Sequence, residues 1–391
     1  MLEPLAPIGR DPDTDGYVRD AWSPAEMELR EWFAGEAARR GLDLREDRNG
    51  NLWAWQGEPG PGRPGVVTGS HLDSVRQGGA YDGPLGVASA FAALDLLRAR
   101  GVTPARPLGV VCFTDEEGAR FGVPCVGSRL LTGALDPARA LALKDDDGDT
   151  LADVLTKAGR DPGRLGRDDE TLSAVGTFVE LHVEQGRGLV HEGRPVGVAS
   201  AIWPHGRWRF DFRGQANHAG TTRLADRDDP MLPFARMVLA AREAAARLGV
   251  VATVGKVRVS PGNANAVPGQ VSAWLDARGA GERDVRALVR ELAEGAGAAV
   301  AEESWTPVVS FDEALRDRLA RVAGGGGTPA PVLPTGAGHD AGILATAGVP
   351  SAMLFVRNPT GVSHSPDEHA EQADCEAGVV ALADVLEDLC R

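Results

Sequence analysis

Gly69-Ser-His71-Leu-Asp73-Ser-Val and, a few residues later, Ala80-Tyr-Asp82-Gly-Pro84-Leu-Gly place a histidine and two carboxylates in one short stretch. A neutral imidazole ligates a divalent cation best when an acceptor holds its other ring nitrogen. Asp73, two residues past His71, is expected to be that acceptor, and Asp82 to ligate through oxygen. Three more segments share this form, each a polar cluster after an apolar run. Leu108 to Phe113 leads to Asp115-Glu116-Glu117-Gly, Thr177 to Leu181 to His182-Val-Glu184-Gln185-Gly, and Ser351 to Val356 through Gly361 to Ser363-His364-Ser-Pro-Asp-Glu368.

Apolar runs of this length read as buried strands, and in open α/β sheets the chemistry lies just past their carboxyl ends. The four clusters are therefore expected on one rim. Three histidines with Asp and Glu make a mixed nitrogen and oxygen donor set. It suits zinc, manganese or cobalt better than calcium or magnesium, which favour oxygen shells.

The elements that position these residues follow from punctuation. Ser23-Pro-Ala-Glu26 is a capping box opening a helix to Gly41, and a second helix fits Pro84 to Arg100, closed by Gly101. From about Gly206 the rhythm changes. Trp208 to Phe212 alternates as a strand, a helix fits Asp229 to Leu248, strands fit Val250 to Val259 and Gln270 to Ala277, and a helix fits Glu282 to Ala299. A last strand near Trp305 to Ser310 completes the split β-α-β order of ferredoxin-like units. The expected organisation is a catalytic domain in two parts, 1–205 and 312–391, interrupted by an inserted domain at 206–311. The Asp145 to Asp149 run lacks the spacing of a calcium loop and reads as a turn and helix cap, and Gly324 to Gly327 as a loop.

A chain of 391 residues with 43% hydrophobic content can fill two cores. Its net charge of −15 disfavours nucleic acid and anionic membranes as partners, so a small molecule is expected. The three lysines lie outside any phosphate-binding loop, which excludes a P-loop nucleotide site. The four cysteines have no metal-knuckle or redox spacing, residues 1 to 20 are polar, and no apolar run approaches the ~18 to 20 residues of a membrane span. A cytoplasmic protein with reduced thiols is expected.

Together these residues resemble the M20 family of metal-dependent aminohydrolases, and within it the branch of N-carbamoyl-L-amino-acid hydrolases and allantoate amidohydrolases. The likeness spans nearly the whole chain. Glu180-Leu-His182-Val-Glu-Gln185-Gly carries the branch, since M20 peptidases and deacylases generally have a carboxylate where His182 stands. Gly214-Gln-Ala-Asn217-His218, Asn263-Ala-Asn265-Ala-Val267-Pro-Gly269 and Gly336-Ala-Gly338-His339-Asp340 are similar to the same branch.

The resemblance implies a mixed sheet flanked by helices, with the inserted ferredoxin-like α+β domain acting in dimerisation and as a lid that closes by hinge motion. It implies two divalent ions per subunit (zinc, manganese or cobalt) on His71, Asp82, Glu117, His182 and His364, with Asp82 bridging and Glu116 as general acid/base. It also implies that Asn265 and Arg278 clamp the substrate carboxylate, that His218 faces the oxyanion, that Gln185 contacts the ureido group, and that Gly361 lines the substrate. Asp73, Asn217 and His339 stand behind these groups. Arg223-Leu224 replaces the family's usual Pro-Met, and Asp115 stands where Asn is frequent; both bear on substrate choice. The implied activity is hydrolysis of a linear amide C–N bond in a small ureido or carbamoyl acid, by a homodimer joined through the inserted domain. Two other readings stand beside it: an M20 dipeptidase or aminoacylase, opposed by His182, and a metal-binding interaction protein without activity, opposed by the complete set of ligands and base.

Overall fold

A computed structural model describes residues 1–325 and 327–391; Gly326, inside the expected glycine loop, lies outside the described residues. The chain forms two compact units, Met1–Ser200 with Ser310–Arg391, and Ala201–Val309, beside the 206–311 read from the sequence for the insertion.

The first unit is built on a nine-stranded sheet. At its centre Leu108–Phe113, Gly65–His71, Val175–Val183 and Ser351–Val356 lie side by side in that order, each parallel to its neighbour. Antiparallel strands flank this block, Leu52–Gln56 on one side and Val196–Ile202 on the other. Because the four central strands run the same way, their carboxyl ends share one rim, which is why four distant segments of sequence meet there. Gly65–His71, Leu108–Phe113 and Ser351–Val356 are buried along their whole length and Val175–Val183 nearly so, the condition that makes parallel strands read as continuous apolar runs. Helices Pro84–Ala99 and Gln372–Leu389 pack on each other and on the sheet.

Helix Pro24–Arg39 starts at the expected Ser23 cap, whose hydroxyl accepts from the Glu26 N–H. Glu26 itself departs from the capping-box expectation. Its carboxylate accepts from the Trp22 N–H and pairs with Arg30, so the helix buries an ion pair rather than closing its own cap.

The second unit is a four-stranded antiparallel sheet in the order Ala299–Thr306, His205–Arg213, Gln270–Arg278, Val251–Ser260. Helices Met231–Leu248 and Glu282–Ala296 cover one face, packing on Trp208, Phe210, Phe212, Val271 and Leu275. The element order is the expected one, but the last strand begins earlier than the sequence suggested. Gly297 takes a left-handed conformation (φ 60°) and stops the helix there, which frees Ala299 to pair with Asp211. Val251–Ser260 lies at an edge of this sheet, with Val251, Val257 and Val259 exposed, as are Leu232 and Leu239 on the helix Met231–Leu248.

Candidate metal centre

The rim of the first unit brings together five of the expected ligands. His71 ends its strand and His182 is the last residue but one of its own, both with buried rings. Their Nε2 atoms lie 3.6 and 3.1 Å from Asp82 Oδ1, while His364 Nε2 lies 3.4 Å from Asp82 Oδ2 and 3.5 Å from Glu117 Oε2. One carboxylate therefore faces three imidazoles, one oxygen toward each side. His71, Asp82 and His182 form one group able to hold a cation, and Asp82, Glu117 and His364 another.

The fit to a cation rests on the imidazoles. Each buried ring uses Nδ1 on a backbone carbonyl, His71 on Asp73 at 3.0 Å and His182 on Val183 at 2.9 Å. Their Nε2 atoms are buried and make no hydrogen bond within the described residues. An unpaired buried nitrogen is costly, and two aimed at the same carboxylate oxygen are the donor arrangement a divalent ion satisfies.

Asp73 does more than expected from the sequence. Its backbone carbonyl lies 3.0 Å from His71 Nδ1 and one carboxylate oxygen 3.6 Å from the same nitrogen; the carboxylate oxygens also accept the N–H groups of Glu116 and Glu117 at 3.2 and 3.0 Å. Glu116 points one oxygen toward His71 Nε2 at 3.7 Å and the other to the buried Cys125 thiol at 3.4 Å. Gln185 donates to Asp82 Oδ2 at 2.8 Å and to Ser363 Oγ at 3.1 Å, and its own carbonyl oxygen is buried and unpaired within the described residues. His339 packs against His182 with ring centroids 4.5 Å apart. Gly361 turns the loop ahead of His364, its N–H bonded to Asn358 Oδ1. Three non-glycine residues around the centre, Asp115, Cys125 and His364, have left-handed backbone, with φ of 54°, 56° and 55°.

Two carboxylates here had no role in the sequence reading. Glu180 accepts from the Ser70 hydroxyl and the Ala341 N–H, tying two strands to a helix start. Its signal was a charged residue inside an otherwise apolar strand. Glu368 accepts from the N–H groups of Tyr81 and Asp82 and contacts Ser363; its only signal was its place four residues after His364.

The other expected substrate groups belong to the second unit. His218 Nδ1 accepts from the N–H groups of Gly220 and Thr221, which leaves Nε2 as the nitrogen able to donate. Asn217 Oδ1 accepts the His218 N–H. Asn265 lies beside them, its carbonyl bonded to the Ala219 N–H. Arg278 does not join this group. It ends the nine-residue strand Gln270–Arg278 at the far side, where it makes two bonds to Asp276 at 2.7 and 3.0 Å. At ~3.3 Å per residue the strand separates its two ends by about 26 Å. Within one copy Asn265 and Arg278 therefore stand toward opposite ends of this strand.

Burial dominates the electrostatics. It pushes Glu116 well above the usual carboxylate range against the pull of His71, and raises Glu117 to about 7 with help from Asp82. Asp340, buried near Glu180, is raised to about 8. His364 is raised to about 9, chiefly by its bond to Asp82. Asp82 itself, despite burial, is held well below its usual range by His182, His364 and His71.

Comparison with known proteins gives a consistent picture. Residues 67–388 match the peptidase family M20/M25/M40. The chain is 37% identical over 401 residues to an N-carbamoyl-L-amino acid amidohydrolase of Geobacillus stearothermophilus, covering 97% of this chain and 95% of that one. It is 32% identical to an allantoate amidohydrolase of Escherichia coli, covering 98% and 95%. A crystal structure of a hydantoinase/carbamoylase-family amidase from Burkholderia vietnamiensis superposes with a TM-score of 0.88 at 29% identity, covering 100% of this chain and 95% of that one.

The charges of the centre give the metal-free protein a defined response to pH. Unfolded Glu, Asp and His titrate near ~4.3, ~3.9 and ~6.5. Glu117, Asp340 and His364 all titrate higher when folded, at about 7, about 8 and about 9. Folded, the two carboxylates hold extra protons from pH ~4 upward and His364 from ~6.5, so what these three groups contribute to stability is lost as pH rises through the window from ~6.5 to ~9. The melting temperature of metal-free protein is expected to drop across it, and added Mn²⁺ to lessen the drop, because ligands must be unprotonated to bind metal. A melting temperature that holds steady or rises would contradict this account.

Proposed function

The chain belongs to the M20/M25/M40 peptidase family, and on that premise we propose that it hydrolyses a linear C–N bond of a small ureido or carbamoyl acid, an N-carbamoyl-L-amino acid or allantoate, releasing ammonia and carbon dioxide. The observation that carries this reading is His182, an imidazole with an orphaned Nε2 where the family's peptidases generally have a carboxylate. The dipeptidase or aminoacylase alternative has less support, since the relatives above act on carbamoyl and allantoate substrates by name.

In this reading His71, His182 and Asp82 hold one divalent ion, and Asp82, Glu117 and His364 a second, with zinc, manganese or cobalt suited to the donors. Bound there, such ions lower the pKa of a water and polarise a carbonyl. Glu116 takes the proton of the attacking water and returns it to the departing nitrogen. Its burial raises its affinity for a proton, which a group that accepts and then delivers one requires. The orphaned carbonyl of Gln185 is an acceptor for a ureido N–H. His218 offers Nε2–H to the developing oxyanion, and Arg278 and Asn265 hold the substrate carboxylate.

The distance of about 26 Å along Gln270–Arg278 bears on this last pair. One carboxylate is reached by both groups only when they come from different copies of the chain. A homodimer joined through the inserted unit meets that need, and the exposed edge strand Val251–Ser260 with its three exposed valines supports it, because pairing would cover its free backbone groups. Cytoplasmic residence fits four cysteines that are all free and buried. Among the described residues no helix is long and apolar enough to cross a membrane.

Ammonia release from allantoate and a panel of N-carbamoyl amino acids is expected, lost on chelation and restored by Mn²⁺, Co²⁺ or Zn²⁺. Glu116→Gln should keep its metal and lower kcat by ~10² to 10⁴. Undiminished turnover in that variant would place the base elsewhere. Arg278→Lys is expected to raise KM strongly, since an ammonium cannot form two parallel bonds to a carboxylate; equal use of a methyl-ester substrate by wild type would refute the clamp. Sedimentation should give twice the 40.9 kDa chain mass, and Val257→Asp should yield monomers. An active wild-type monomer would refute the dimer.

A further inference from the structure

The two halves of the centre are held in different ways. His71 and His182 stand on strand ends, with buried rings locked through Nδ1 to backbone carbonyls. His364 stands on a loop with half of its side chain exposed, and its Nδ1 has no partner within the described residues. Its placement relative to Asp82 and Glu117 must come from something other than the sheet.

Glu368 supplies it. One of its oxygens accepts the N–H of Tyr81 at 2.9 Å and that of Asp82 at 3.0 Å. The other is 3.1 Å from Ser363 Oγ, which is itself 3.2 Å from Asp82 Oδ2. A single carboxylate thus ties the backbone of the shared ligand Asp82 to the residue before His364, across 281 positions of sequence between Asp82 and Ser363. It is 5% exposed and makes no ion pair within the described residues. Burying a carboxylate without a cation is expensive, so its hydrogen bonds must outweigh that penalty. The loop is also shaped to admit it: a Cβ on Gly79 would lie 2.4 Å from Glu368 Cβ.

We propose that Glu368 is the positioning residue for the second metal position, the one formed by Asp82, Glu117 and His364, and that it leaves the first position largely unaffected. The inference rests on the two-ion reading above. Partners that orient ligands typically contribute ~10 to 100-fold in metal affinity. Here that contribution falls mainly on one ion of two, because both histidines of the first position are secured by strands, and only the second position takes a ligand from the loop of His364.

The test is calorimetric titration of Mn²⁺ into metal-free wild type, Glu368→Ala, Glu368→Gln and Ser363→Ala, with electron paramagnetic resonance at each equivalent to report spin coupling between paired ions. Wild type should take up two ions and show the coupled signal. Glu368→Ala should keep the first affinity within about threefold, lose ~10 to 100-fold at the second, and show isolated Mn²⁺ at the first equivalent. Glu368→Gln keeps an acceptor for both N–H groups and should recover most of the second affinity. Should Glu368→Ala fail to fold, Ser363→Ala decides, with the same selective loss expected. Two ions in wild type with equal losses at both positions, or none at either, would overturn the role of Glu368 alone. Fewer than two ions in wild type would overturn the two-ion reading and this role together.

Discussion

The carboxylate of Asp82, buried and faced by three imidazoles, is the interaction around which the first unit is organised. Neither of its oxygens can move without changing its distance to a histidine. The residues around it are committed to holding it and its partners still: backbone carbonyls orient His71 and His182, Asp73 fixes the strand-end turn of Glu116 and Glu117, and Gln185 and Ser363 meet Oδ2. The parallel run of four central strands makes this convergence geometrically possible. Such an arrangement keeps several like charges in a buried space, where burial first and neighbouring carboxylates second raise the proton affinities of Glu116, Glu117 and Asp340.

The inserted unit obeys a different constraint. Its hydrophobic face is satisfied by two helices, yet one edge of its sheet and several valines and leucines remain exposed. The first unit hides its polar groups at the end of an apolar block. The second presents its polar groups at the two ends of a strand, too far apart within one copy to meet on one small molecule.

Much of this was legible in the sequence, and the failures have physical reasons. The rim could be read because parallel strands are buried on both faces and appear as apolar runs, so the polar residues that follow stand out. His71, Asp82, His182 and His364 stood out in that way, the family resemblance singled out Glu117 from the Glu-Glu pair, and the structure brings the five together. Asp73 does stand beside His71, but its two backbone N–H donors went unread, because a sequence shows which residues can accept a hydrogen bond and not which donors lie nearest. Glu368 went unread for a similar reason, since its donors are 286 and 287 positions away. The strand expected between Asn265 and Arg278 already implied their separation within one copy, a consequence that the sequence reading did not draw. The displaced last strand followed from passing over Gly297 as a helix stop.

The left-handed backbone of Asp115, Cys125 and His364 has a consequence for how this chain can change. A side chain in that conformation costs of order ~1 kcal/mol or more, which glycine would avoid. All three lie where a ligand, the base or its neighbour must be aimed. Selection for heat resistance alone would favour glycine at these places and erode the centre as it did so. Thermostable descendants that keep activity are therefore constrained to gain their stability elsewhere, in helix surfaces and loops remote from the rim.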